Sequence, residues 1–295
     1  MPSPANDRST LPSPIAEGPL LAWLLNVLRP MNRTRVKQLL RHGRVSVNGT
    51  ATTRHDHLLR PGDRVVIVRA AAVVAGCSLD EVGISIVLQD DGLIVIEKPP
   101  GLLTVATAAE KIETAFARLN AYMKAREFGR PYVVHRLDRE TSGLLLFARS
   151  AGVRDHLQAT WGKVTKTYLA VVEGNPQSAD GVVENFLIEG RDLHVRATVE
   201  RAGAKRAVTR YRVVACRGRY TLVEVDLETG RKHQIRVHLA GLGCPVLGDP
   251  VYGTGSDPAG RLALHAHRLT LDHPTTGLRL DIESPLPAVL RKLVE

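Results

Sequence analysis

The stretch PYVVHRLDRETSGLLLFARS, Pro131 to Ser150, constrains this chain more than any other. Leu144 to Ala148 is an unbroken apolar run of the length of a fully buried strand, and Tyr132 to Leu137 is rich in β-branched and aromatic residues. Between them Thr141, Ser142 and Gly143 form a turn, so Asp138 is expected on a connection between two strands, flanked by Arg136 and Arg139. If the first strand keeps its period of two up to the aspartate, Val134, Arg136 and Asp138 share one face, with His135 and Leu137 on the other. A cation and a carboxylate able to act as a nucleophile then project together. Alone, an aspartate in a turn also serves as a cap on its own backbone, with the arginines as solvated charge.

The longer string HRLDRETSGLLLFA resembles the central motif of the RluA family of RNA pseudouridine synthases, in which the aspartate at Asp138 is catalytic. DDGLIVIEKPPGLLTVAT (Asp90 to Thr107), KTYLAVVEG (Lys166 to Gly174), LETGRKHQIRVHLAGLGCPVLGDPVYG (Leu227 to Gly253) and LHAHRLTLDHP (Leu264 to Pro274) are similar to that family in the same order. The resemblance spans roughly residues 86 to 285. It implies an α+β pseudouridine synthase fold with a largely antiparallel mixed sheet, and a site built from Asp138, Tyr168 and Arg236. Tyr168 would stack on the target base and help move a proton, Arg236 would form an ion pair with Asp138, and Ile235 would pack near the base. Arg136 would enter the RNA where the base departs, with Arg231 as a further substrate contact.

Lys and Arg total 40 against 30 Asp and Glu, a net charge of +10, which favours a polyanionic partner without choosing among RNA, DNA and anionic lipid. The 295 residues suit one large or two unequal domains. Cys77, Cys216 and Cys244 lie far apart with no CxxC pair, so neither a disulfide framework nor a zinc site is indicated, and a reducing cytoplasm is the simplest compartment. No signal peptide and no run of about 20 apolar residues is present, so no membrane is expected.

In chain order, residues 1–17 are rich in Pro, Ser and small side chains and read as a flexible tail. Residues 18–70 read as a small helix-helix-strand unit: LLAWLLNVL from Leu20, then RTRVKQLLRHG capped by Asn32 or Thr34 and closed by Gly43, then VSVNG and RPGDRVVIV as strands with turns. In the second helix Arg33, Lys37 and Arg41, with Arg44 beyond, form a basic stripe opposite Val36, Leu39 and Leu40. RTRVKQLLRHGRVSVNG followed by RPGD resembles the S4 RNA-binding domain, although LLAWLLNVL lacks that domain's usual opening. The stripe would then contact phosphates.

Residues 71–84 read as a linker and 85–295 as the catalytic domain. Lys98-Pro-Pro-Gly101 forms a rigid loop whose lysine meets phosphate or is ordinary surface. Glu110 to Arg126 reads as a helix packing Ile112, Phe116, Leu119 and Met123. The arginines of Gly190 to Arg212 fit a phosphate-contacting surface or a charged edge hairpin equally well.

Thr229 or Gly230 is expected to cap a helix ended by Gly241, Gly243 and Pro245. His233 and His238 are five apart, off the four-residue spacing of a paired metal ligand, so no metal is expected. His265 and His267 read as core or surface residues. An attacking carboxylate must stay ionised in a closing pocket, and a guanidinium opposes the desolvation that would neutralise it.

These readings converge on isomerisation of uridine to pseudouridine in ribosomal or transfer RNA by a monomer without cofactor. The target must leave its stack to be reached. Asp138 then attacks C1′ of the ribose or C6 of the uracil, or acts as a base to give a glycal. The rivals are an S4-type RNA-binding protein without catalysis and a two-carboxylate glycosidase, which needs a second acid beside Asp138, with only Glu140 near in sequence.

Overall fold

The computed structural model of the chain describes residues 8–29, 31, 33–41, 45–68, 77–79, 83–107, 110 and 112–295. The chain divides into two compact units, residues 1–73 with 271–281, and residues 74–270 with 282–295.

The smaller unit runs β1 (Arg8–Thr10), β2 (Gly18–Pro19), α1 (Leu20–Val27), α2 (Arg33–Arg41), β3 (Val45–Val47), β4 (Thr50–Thr52), β5 (Leu58–Leu59) and β6 (Val65–Val68). Leu20, Leu21 and Leu24 of α1 and Val36, Leu39 and Leu40 of α2 bury one side of each helix against Val45, Val47, Leu59, Val65 and Ile67. Asn48 and Gly49 both take positive φ, 51° and 85°, as the tight hairpin between β3 and β4 requires. Arg33 and Lys37 are exposed opposite the buried face, as the stripe predicts. The side chain of Arg41, and Arg44 altogether, lie outside the described residues, as do Asn32, Gly43 and residues 70–75. The tail reading fails for residues 8–14. β1 pairs antiparallel with β6, and Leu11 N–H donates to Val65 O and Gly62 N–H to Pro14 O. Edge pairing needs backbone groups only, so a polar, apolar-poor segment gives no warning of it.

The larger unit is α+β. Its strands are β7 (Cys77–Leu79), β8 (Ile84–Gln89), β9 (Leu93–Lys98), β10 (Tyr132–Val133), β11 (Ser142–Ala148), β12 (Thr165–Glu173), β13 (Asp180–Glu189), β14 (Val195–Thr198), β15 (Lys205–Arg217), β16 (Tyr220–Leu227), and β17 (Leu264–Asp272) and β18 (Arg279–Glu283), of which residues 271–272 and 279–281 count with the smaller unit. Its helices are α3 (Ala115–Ala125), α4 (Ala151–Ala159), α5 (Gln234–Gly241) and α6 (Ala288–Arg291). The strands join one sheet in the order β14-β13-β15-β16-β12-β17-β11-β9-β8-β7, with β10 on β11 and β18 on β17. Along that order neighbours run antiparallel except β11 and β17, whose parallel contact makes the sheet mixed. β7 falls inside the segment expected to be a linker and pairs with β8.

Every residue of β11 is buried, as its apolar run predicts. One cluster packs Ile94, Ile96, Leu145 and Phe147 against Leu119 and Met123 of α3, and another packs β12, β16 and β17 against Ile235 and Leu239 of α5. Helix α3 starts at Ala115, capped by Thr114, whose side chain accepts from Ala117 N–H, so Ile112 lies ahead of the helix and is 76% exposed. Gly143 lets β11 and β17 meet. It has φ of 110°, and a Cβ there would stand 2.3 Å from Ala266 O.

Candidate active site

The strand leading to Asp138 ends earlier than its composition suggests. β10 stops at Val133, and residues 134–141 form an irregular loop in which Val134 and Leu137 are buried and Arg136 is exposed. The period-two pattern therefore does not reach Asp138, because three neighbours capture the backbone and side chains instead. The Thr104 hydroxyl donates to Leu137 O at 2.8 Å and accepts from Leu137 N–H at 3.1 Å. Leu146 N–H donates to His135 Nε2 at 3.0 Å, and the His135 ring stacks on Trp161 with centroids 4.6 Å apart. Burial first, and then the Lys166 charge, lower His135 to about 3, so it is neutral and bears its proton on Nδ1.

The third anchor is Lys98, which is 0% exposed. Its Nζ donates to Pro99 O at 2.9 Å, Leu102 O at 2.7 Å and Arg139 O at 2.9 Å, tying the KPPG loop to the residue after Asp138. Neither sequence reading, phosphate contact or surface lysine, describes it. Burial pushes Lys98 down to about 7 against the charges of Glu140 and Asp138. The three carbonyls nevertheless match the three N–H bonds of the ammonium, which the neutral amine cannot supply. The signal was in the period of β9, where Lys98 shares its side of the strand with the buried Ile94 and Ile96.

Tyr168 projects from β12, and its pairing partner β17 shifts register between Thr167 and Tyr168. Burial, and after it the negative charge of Asp138, push the phenol well above its ordinary value. Tyr168 is thus a neutral phenol that donates a hydrogen bond or stacks; it is no phenolate base.

Helix α5 begins at Gln234, later than a cap at Thr229 or Gly230 implies. Its N-cap is His233, held in the left-handed region at φ 53°. Thr229 Oγ1 instead donates to Gln234 Oε1 at 2.8 Å, which also accepts from Arg231 N–H. Ile235 and Arg236 occupy the first turn, 4% exposed each.

The carboxylate that Arg236 grips is Asp249, not Asp138. Arg236 Nε donates to Asp249 Oδ2 at 2.7 Å and a terminal nitrogen donates to Oδ1 at 2.6 Å. Oδ1 also accepts from Val251 and Tyr252 N–H at 2.9 and 3.0 Å. Burial alone raises Asp249, but these donors outweigh it and hold the carboxyl below its ordinary range. Asp249 wins because its own turn pre-orders it a short way along the chain, whereas Asp138 sits on a separate anchored loop. Asp138 still acts on Arg236 through space, adding to the pull that keeps the guanidinium charged. An Asp-Pro-Val-Tyr turn with two free N–H groups is the signal that marks Asp249 in sequence.

All six residues read from sequence in this unit, Asp138, Tyr168, Arg236, Arg136, Ile235 and Arg231, line one cleft of about 340 Å³. His135, Trp161, Lys166, Lys232 and His233 complete its charged and aromatic lining, and the sequence motifs mark none of these as a site residue. Burial lowers His233, whose Nδ1 lies 3.0 Å from Tyr252 Oη. Asp138 is the one carboxylate among the described lining residues. Glu140 is not among them and pairs with Arg139 at 3.7 Å. His265 is buried between Ser142 Oγ at 2.8 Å and Ser284 Oγ at 3.0 Å, a core histidine as read.

A family model described as RNA pseudouridylate synthase matches residues 92–241, which contain Asp138, Tyr168 and Arg236. The chain is 36% identical to the uncharacterized RNA pseudouridine synthase YlyB of Bacillus subtilis, covering 92% of each. It is 34% identical to the ribosomal large subunit pseudouridine synthase D of Neisseria meningitidis, over 94% of this chain and 78% of that one. Among solved structures, human RNA pseudouridylate synthase domain containing 4 superposes with a TM-score of 0.59 at 28% identity, covering 70% of this chain and 90% of that one.

Proposed function

The chain belongs to the RNA pseudouridylate synthase family, and from that premise we propose that it converts uridine to pseudouridine in large-subunit ribosomal RNA, with Asp138 as nucleophile on a flipped-out nucleotide. The observation that carries the assignment is one carboxylate set alone among cations in a cleft that also holds Tyr168 and Ile235. A glycosidase needs a second acid there, and the cleft offers none among its described residues. The choice of ribosomal RNA follows the relative from Neisseria meningitidis, a ribosomal large subunit pseudouridine synthase, and one of the same name from Vibrio cholerae at 33% identity.

In the reaction the N1–C1′ bond breaks, the uracil turns, a C5–C1′ bond forms, and C5 gives up the proton that N1 gains. Asp138 attacks C1′ or C6, or removes a ribose proton to give a glycal; all three need it ionised. Arg236, fixed by Asp249, keeps a guanidinium in the cleft that feels the charge of Asp138 through space. Tyr168 supplies a flat neutral face for the base, with Ile235 as the apolar wall. Arg136, exposed at the cleft, fills the gap the uridine leaves on this reading, which its exposure supports. In the smaller unit, exposed Arg33 and Lys37 fit an S4-like surface that adds phosphate contacts.

Tritium release from [5-³H]uridine in transcribed large-subunit ribosomal RNA tests this. Asp138→Asn should abolish release while RNA affinity stays within about twofold, since a phosphate-dominated interface loses no cation. Release by Asp138→Asn at the unsubstituted rate overturns the assignment.

A further inference from the structure

Five Lys and Arg side chains line the cleft, and three are already engaged. Arg236 is held by Asp249, Lys232 by Glu189, and Arg231 Nε donates to Arg206 O. Arg136 is exposed, so water satisfies it. Lys166 is different. It is 7% exposed, and among the described residues no carboxylate or carbonyl takes its ammonium.

Its place on β12 explains why it reaches the cleft. Lys166 lies two residues before Tyr168, so both side chains leave the same face of the strand, while Thr167 turns the other way to donate to Asp226. Around it stand neutral groups: the Trp161 ring, whose centroid is 5.9 Å from Nζ, and His135, kept neutral by its burial and by the Lys166 charge itself, with Nε2 taken by the Leu146 N–H. Burial acts on the ammonium with no carboxylate to offset it. Its Nζ is not sealed from solvent but opens on the cleft, and a largely desolvated charge with no protein partner is retained where the partner arrives with a ligand.

We propose that Lys166 binds an RNA backbone phosphate adjoining the uridine that sits over Asp138. This rests on the uridine reading above and adds the group that orients the nucleotide in the cleft. A phosphate fits better than a uracil carbonyl, because a neutral acceptor satisfies one N–H and leaves the buried charge uncompensated. A lysine suits the task as a compact point charge with no need for planar registry.

The test uses the full chain and the shortest transcribed fragment of large-subunit ribosomal RNA from which the unsubstituted protein releases tritium. Binding is measured across a salt series for Asp138→Asn and for Asp138→Asn with Lys166→Met. The expected result is about tenfold weaker binding near 0.1 M salt and a log–log salt slope shallower by about 0.7, the share of one single-stranded phosphate contact. Without RNA, Lys166→Met should melt at a higher temperature, because it removes a partly desolvated charge that has no protein partner and keeps the apolar stem. Unchanged affinity, a weaker complex with an unchanged slope, or a lower melting temperature each overturns the phosphate assignment. Failure to find any fragment that releases tritium overturns the uridine reading instead.

Discussion

Replacing Asp249 by Asn changes one atom and tests whether the buried pair with Arg236 holds the first turn of α5 in place. Asn keeps an oxygen that can take the Oδ1 role, accepting from Val251 and Tyr252 N–H and from one guanidinium nitrogen. The amide nitrogen, however, replaces Oδ2 and points a donor at Arg236 Nε–H, where a 2.7 Å bond now exists. The guanidinium, with its side chain 4% exposed, is left without a counter-charge. Breaking a buried pair by removing one partner costs about 3–5 kcal/mol, which for a unit of this size lowers the melting temperature by roughly 10 °C. Urea unfolding at pH 7 reads the loss directly.

The pH dependence gives the sign. The folded carboxyl lies below its model-peptide value of 3.8, so its stabilisation is complete above that value and disappears as pH falls through the lower folded one. The gap between the two proteins should therefore be full at pH 7 and narrow below pH 4. Glu184→Gln, which breaks the half-exposed pair with Arg206, should leave the midpoint nearly unmoved. Arg236→Met combined with Asp249→Leu should recover much of the stability but no turnover, separating the fold from the chemistry. A loss under about 1 kcal/mol for Asp249→Asn, or an equal loss at pH 3 and pH 7, would falsify this account.

Two other substitutions probe separate parts of the chain. Lys37→Ala with Arg41→Ala should weaken RNA binding and flatten its salt dependence by about 1.4 in log–log slope if both meet single-stranded phosphates; an unchanged slope removes the stripe from the interface. Gly143→Ala should cost about 3 kcal/mol in urea unfolding, because its Cβ meets backbone atoms of Ala266 at 2.3 to 2.9 Å and φ is 110°; a loss within error would mean β11 and β17 can separate freely.

What sequence revealed here follows from how local the determinant is. The interior of β11 announces itself by an apolar run, the buried face of α2 by its spacing, and the Asn48-Gly49 hairpin by turn chemistry. Each of these is written within a few residues. The six cleft residues were legible through motif resemblance, and the fold does gather them. The end of β10, by contrast, depends on the Thr104 hydroxyl from a distant loop, and the partner of Arg236 depends on where the turn at Asp249 lands. Lys98 and Lys166 escaped because lysine reads as surface by default, and only strand period or tertiary burial says otherwise.

The loop bearing Asp138 is clamped from three directions, by Lys98, by Thr104 and by the strand amide that His135 accepts from. A carboxylate mounted so firmly cannot travel to meet its target. On the proposed reading, deformation on binding falls on the nucleic acid, and sites are selected by how cheaply a given RNA segment can be bent open as much as by the letters it carries.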